Sequence, residues 1–212
     1  MTSNIFDDLG LNLDFEFLSA ETEADISSLV LKNESKKRKF FKIENEMAQL
    51  GAIIKRLPNK DEVFKMLSFR GGFSSVGIIT YICEFEKINR LYVSTFRIGL
   101  KQFEILNSLY NSDKIESAVF LTSSMQRKNG IDYDYYMPIF NGCKQNGWDM
   151  IEVKNHSKLI LAETDKNFYV VETSSNLNEN PKIEQFSFEN DERLFKWCED
   201  FFRAVIKLKK KC

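Results

Sequence analysis

The stretch Asn155-His156-Ser157-Lys158-Leu159-Ile160-Leu161-Ala162-Glu163, with Val170-Val171-Glu172-Thr173-Ser174-Ser175-Asn176-Leu177-Asn178 after it, decides how this chain is read. It holds the chain's only histidine. Read as a strand, residues 157–164 alternate their side chains with a period of two. His156, Lys158, Ile160 and Ala162 then share one face; Ser157, Leu159, Leu161 and Glu163 share the other. An imidazole and an ammonium group leave the same side of the strand, about 7 Å apart along the backbone. Asp165-Lys166-Asn167 reads as a polar turn, and Phe168-Tyr169-Val170-Val171 as the returning strand. The hairpin delivers Ser174, Ser175 and Asn176 back beside His156.

Upstream, strands and helices alternate. A helix is expected over 75–87, with Val76, Ile79, Cys83 and Phe85 or Ile88 inward. Leu91-Tyr92-Val93 centres a buried strand over 90–95, and Ala118-Val119-Phe120-Leu121 another over 116–122. Between them Leu100, Phe103, Leu106, Leu109 and Tyr110 stripe a helix. A helix from Tyr135 to about Gln145 ends at Asn146-Gly147, and a third strand covers 148–153. After the hairpin, 182–188 reads as an edge strand because Pro181 precedes it. Asp191 opens a last helix through Leu194, Cys198, Phe201, Val205 and Leu208. This order predicts an α/β fold: a mixed, partly parallel sheet flanked by helices, with an N-terminal helical extension.

Residues 1–60 stand apart, as an acidic arm and a basic amphipathic helix preceding a domain over 61–212. Residues 1–35 carry eight acidic side chains against one basic, Lys32, and Leu9 to Phe15 alternates like a short strand. Lys36-Lys37-Arg38-Lys39 reverses the charge, and Phe41, Ile43, Met47, Leu50 and Ile54 follow at helical spacing. The basic cluster reads first as a solvated helix face or an electrostatic partner for the acidic arm, and second as a phosphate-backbone contact. Asn59 is placed to cap a short helix to Leu67. Arg70-Gly71-Gly72 is a turn, lacking the length and lysine of a phosphate-binding loop.

Net charge is −1, so no global basic field draws in nucleic acid, and any such contact must be local. No apolar run reaches the roughly 20 residues of a membrane span, and the acidic start is unlike a secretory signal; a soluble, cytoplasmic protein is expected. Cys83, Cys143, Cys198 and Cys212 form no C-x-x-C pair, and one histidine leaves no Cys/His zinc site. Free thiols are expected, with Cys83 and Cys198 on buried helix faces.

The two quoted segments resemble the H-x-K … G-S-x-N signature of the phospholipase D-like (HKD) phosphodiesterases. His156 and Lys158 match its first two positions, and Thr173-Ser174-Ser175-Asn176 its Gly-Ser-x-Asn, with Thr in place of Gly. Glu163 stands where the family usually carries Asp, and the link between the halves is longer than usual. The likeness spans about 75–208 and implies one half of a phospholipase D-like fold. It implies a phosphodiesterase needing no metal or cofactor, with His156 as nucleophile and Lys158 and Asn176 on the phosphoryl oxygens. Ser174 would support them, and Glu184 would orient the imidazole. Strand parity sends Glu163 to the opposite face, in a structural role. In the family a second histidine protonates the leaving oxygen. One histidine per chain therefore implies a homodimer with two motifs face to face. The single motif favours nucleic acid over lipid as substrate. A lipid phosphodiesterase and a degenerate, non-catalytic HKD-like binding module are the alternatives. Without the likeness, His156 is a polar residue at a strand start, Lys158 snorkels, and Ser-Ser-Asn is an ordinary turn.

Overall fold

The computed structural model describes residues 36–43, 50–51, 54–68, 74–125, 130–178 and 183–209. Lys36–Cys212 forms one compact unit. In chain order the elements are β1 (Lys37–Ile43), β2 (Glu62–Ser68), α1 (Val76–Phe85), β3 (Ile88–Thr95), α2 (Leu100–Asn111) and β4 (Ile115–Ser123). There follow α3 (Gly130–Gln145), β5 (Asp149–Val153), β6 (Leu159–Glu163), β7 (Phe168–Thr173), β8 (Glu184–Asn190) and α4 (Glu192–Lys209).

Among the described residues the strands make one eight-stranded sheet in the order β1-β2-β8-β7-β6-β3-β4-β5. β3, β4 and β5 are parallel, joined through α2 and α3; β1 and β2 are parallel as well. β6, β7 and β8 form an antiparallel meander between those two sets. The mixed sheet and its flanking helices are as the sequence predicts. Strand parity explains the two cores. Ile160, Ala162, Val171, Leu91, Val93 and Phe120 point into the larger one, beneath α1 and α2. Their neighbours Leu161, Val170, Tyr92 and Leu121 point the other way, under Phe195, Cys198 and Phe202 of α4. Strands covered on both faces read as continuous apolar runs, which is the pattern at Tyr169-Val170-Val171.

Local signals set the helix ends. Gly147 lies in the left-handed region at φ 68° and closes α3. The Trp148 N–H donates to the Cys143 carbonyl at 2.8 Å and the Gly147 N–H to that of Lys144 at 3.2 Å, a Schellman cap. Asp191 caps α4, its Oδ1 accepting from the N–H groups of Arg193 at 2.9 Å and Leu194 at 3.0 Å. Cys83, Cys143 and Cys198 are buried free thiols, as expected, and burial pushes each up to about 12.

Several expectations are corrected. The basic cluster opens a strand, not a helix: Lys37–Ile43 pairs with β2 as the outer strand, where exposed lysines suit an unpaired edge. Among the described residues that follow, Leu50, Gly51 and Ile54 are helical. Asn59 turns the chain rather than capping a helix. The Glu62 N–H donates to its carbonyl, Asp61 takes φ 61°, and Glu62–Ser68 is β2. β8 is no edge strand; it pairs with β2 and β7 along its length, starting beyond Pro181, and both ladders outweigh that proline. Of the pair Phe85 or Ile88, Ile88 is the buried one; it opens β3 rather than ending the helix, and Phe85 is exposed. On α4, Phe201 and Leu208 are also exposed, and Phe195, Cys198 and Phe202 make the inward row. The expected strand at Leu9–Phe15 lies outside the described residues.

Glu62 links the turn to β2. Both Arg56 guanidinium nitrogens donate to it, at 2.7 and 2.9 Å, and so does the Asn59 N–H at 3.0 Å. The Arg56 hydrogen bonds are the largest cause holding its carboxyl at about 2, against an ordinary 4.5. A carboxylate held down in the folded state contributes stability above its unfolded pKa and loses it as pH falls through the folded one. Glu62→Gln is expected to cost about 1–2 kcal/mol at neutral pH. The gap in melting temperature between it and the native chain should close as pH falls from about 4.5 to about 2. A gap that stays constant across that window would refute the assignment.

Candidate active site

The carboxyl end of β3, the segment leading into β6 and the chain leaving β7 meet at one end of the sheet. Residues 154–158 precede β6 and take no regular secondary structure. The strand expected from Ser157 thus begins at Leu159, and His156 and Lys158 lie on its approach. His156 is exposed. Its ring lies 5.5 Å from that of Phe96, centroid to centroid, tilted by 58°.

Lys158 folds back on its neighbour. Its ammonium donates to the His156 carbonyl at 2.6 Å and lies 3.3 Å from Nδ1. An ammonium only donates, so it bonds Nδ1 in the tautomer that leaves that nitrogen unprotonated. Burial lowers the Lys158 pKa, and the negative charge of Glu184 opposes that shift. A partly desolvated cation gains most from an anionic ligand that replaces its lost water.

The returning strand brings the second of the two quoted segments. Ser174 Oγ donates to Glu184 Oε2 and accepts from the Gln185 N–H at 3.1 Å. Glu184 is buried at the start of β8. The structure therefore ties Glu184 to Ser174 and sets its charge near Lys158. The Ser175 N–H donates to Thr173 Oγ1 at 2.9 Å, a bond glycine at that position would not make. Asn176 is half-buried, and its Oδ1 has no hydrogen-bond partner among the described residues. The Leu177 N–H donates to Thr95 Oγ1 at 3.1 Å, which fixes this segment against the end of β3. Ser75, at the start of α1, donates to the Ser175 carbonyl at 3.2 Å. A shallow crevice runs between these parts, lined by Ser75, Thr95, Lys158, Thr173, Ser175 and Leu177 among others.

Glu163 sits on the opposite face, as parity required. It pairs with Arg90, whose Nη1 lies 3.2 Å from Glu199 of α4. Sequence reasoning gave no part to Phe96, Ser75, Asn155 or Ser94. Only Asn155 had a local signal, since Asn readily accepts from the N–H two residues on.

Chemically the cluster offers one nucleophilic imidazole, one cation, an amide and hydroxyl donors around an open face. Among the described residues, no group of His, Cys, Asp and Glu could hold a metal ion. No helix among them is long and apolar enough to cross a membrane.

No family model and no curated protein sequence matches the chain. Solved structures do. Nuc, a phospholipase D family member from Salmonella typhimurium, aligns with a TM-score of 0.52 at 11% identity, over 69% of this chain and 94% of that one. TrmBL2, an archaeal chromatin protein, reaches 0.45 at 11% identity, over 92% and 62%. A variant of yeast tyrosyl-DNA phosphodiesterase reaches 0.34 at 14% identity, over 57% and 31%. The likeness to Nuc, with the strand order above, assigns the chain a phospholipase D-like α/β fold.

Proposed function

We propose that this protein is a metal-independent phosphodiesterase that cleaves DNA or RNA as a homodimer, through a phosphohistidine on His156. The observation that carries the reading is the meeting of His156, Lys158, Ser174 and Glu184 at one end of a phospholipase D-like sheet. The nucleic-acid substrate is supported by the single H-x-K segment, which favours nucleic acid over lipid.

Cleavage needs charge neutralised on the phosphoryl oxygens and a nucleophile in line with the leaving oxygen. When a phosphodiester binds, the Lys158 ammonium moves from His156 to those oxygens, and the Asn176 amide joins it. Nδ1 is then free to carry the ring proton, and Glu184 holds it there. Nε2 presents its lone pair and attacks phosphorus; an N–P bond forms and a P–O bond breaks. The leaving oxygen takes a proton from the His156 imidazolium of a second copy. Water then attacks phosphorus, gives its proton back to that imidazole and breaks the N–P bond.

Supercoiled plasmid and single-stranded oligonucleotides incubated with the protein and EDTA are expected to be cleaved. Light scattering of the active fraction should give twice the chain mass. Cleavage only on addition of a divalent cation, or an active monomer, would overturn the reading. Release of headgroup from phospholipid vesicles without nucleic-acid cleavage would move the substrate to lipid.

A further inference from the structure

His156 and Lys158 lie on irregular backbone, yet the chemistry above needs the imidazole in one place. The side-chain contacts of His156, to Lys158 and Phe96, lie on an open surface and hold it weakly. Its two sequence neighbours are held far more firmly.

Asn155 Nδ2 donates to Ser94 Oγ at 2.8 Å. Ser157 Oγ donates to Asn155 Oδ1 at 2.8 Å. Ser94 Oγ and Ser157 Oγ are 2.5 Å apart. Ser157 spends its proton on Asn155, and Ser94 accepts from Asn155, so Ser94 must donate to Ser157. The three side chains thus form a closed ring in which each donates to the next. Every bond in such a ring polarises the following one. Ser94, at the end of β3, is 1% exposed, which keeps water from competing there.

Asn155 also donates to the Leu121 carbonyl of β4 at 2.9 Å, with the Thr95 carbonyl of β3 at 3.3 Å sharing the amide. Its Oδ1 accepts from the Ser157 N–H as well, at 2.9 Å. One amide therefore uses its full bonding capacity to fasten the backbone on both sides of His156 to two core strands.

We propose that Asn155, through the ring with Ser94 and Ser157, is the positioning residue for the His156 nucleophile. Its catalytic consequence rests on the phosphodiesterase reading; its hold on the imidazole does not. Because the chain has one histidine, the ring protons of His156 are a single, unambiguous set of NMR signals.

In the 212-residue chain, Asn155→Ala is expected to move and broaden those signals and to weaken their cross-relaxation with Phe96. It should lower kcat about 10- to 100-fold, the effect of about 1 Å of misplacement, with KM within about two-fold. Phe188→Leu, matched for loss of melting temperature, should leave both readouts unchanged, which separates positioning from stability. If Asn155→Ala does not fold, Ser157→Ala opens the same ring without touching the Leu121 bond and should shift both readouts in the same direction. A folded variant with unchanged imidazole signals, or with moved signals and unchanged kcat, overturns the proposal. If His156→Ala itself keeps full activity, the phosphodiesterase reading has failed, and the imidazole signals alone decide whether Asn155 holds the ring.

Discussion

Replacing His156 by alanine is expected to lower cleavage of a phosphodiester at least about a thousand-fold, because the covalent route loses its nucleophile. The loss should fall on kcat. Lys158 and Asn176, the groups proposed to hold the phosphoryl oxygens, remain, so binding of uncleaved substrate should persist within a few-fold. The exposed position of His156 makes the substitution safe for the fold; its ring packs only at the surface, against Phe96. Melting temperature should therefore match the native chain. The companion measurement is trapping of a phosphorylated protein by denaturation at alkaline pH, where an N–P bond survives; it should label the native chain and not His156→Ala. Retention of more than about a tenth of the activity would remove His156 from the reaction.

The largest loss of stability is expected from Phe188→Ala, at about 3–5 kcal/mol. Phe188 is fully buried on β8, between β2 and β7. Its ring meets Phe64 edge-on at 6.2 Å and Tyr169 at 5.6 Å. Truncation opens a cavity walled by two aromatic rings that hydrogen bonds and ladders hold in place. Tyr169 is anchored through its hydroxyl, which donates to Glu86 at 3.0 Å, so it cannot collapse inward cheaply. A natural domain is stable by only about 5–15 kcal/mol, so this one change removes a large fraction. Denaturant titration should show a lower midpoint at an unchanged slope. A loss under about 1 kcal/mol would mean that β8 is not the central strand described.

Much of this was legible in the sequence because the signals were local. The short apolar run from Leu159 to Ala162, the polar turn and the returning valines define a hairpin without knowledge of the rest. The hairpin alone brings Ser174 toward the His156–Lys158 segment. Asn146-Gly147 and Asp191 announced helix ends by the same short-range chemistry. What failed was set by distant partners. β1 is a strand because β2 offers it a ladder, and β8 is central because β2, far earlier in the chain, lies on its other side. The ring around His156 was hidden for the same reason: Asn155 and Ser94 are 61 residues apart. On α4 the apolar row was found but set partly off the inward face, since Phe201 and Phe202 are adjacent and only Phe202 faces the sheet.

The continuous meander β6–β7–β8 has a further consequence. Its middle strand, β7, is enclosed on both faces, with Val170 and Val171 wholly out of solvent. The chain leaving that strand delivers Ser174 and Asn176, and the strands beside it follow Lys158 and begin at Glu184. Ser174 and Glu184 thus hang from the ends of enclosed strands, so moving their backbone far means disturbing the heart of the molecule.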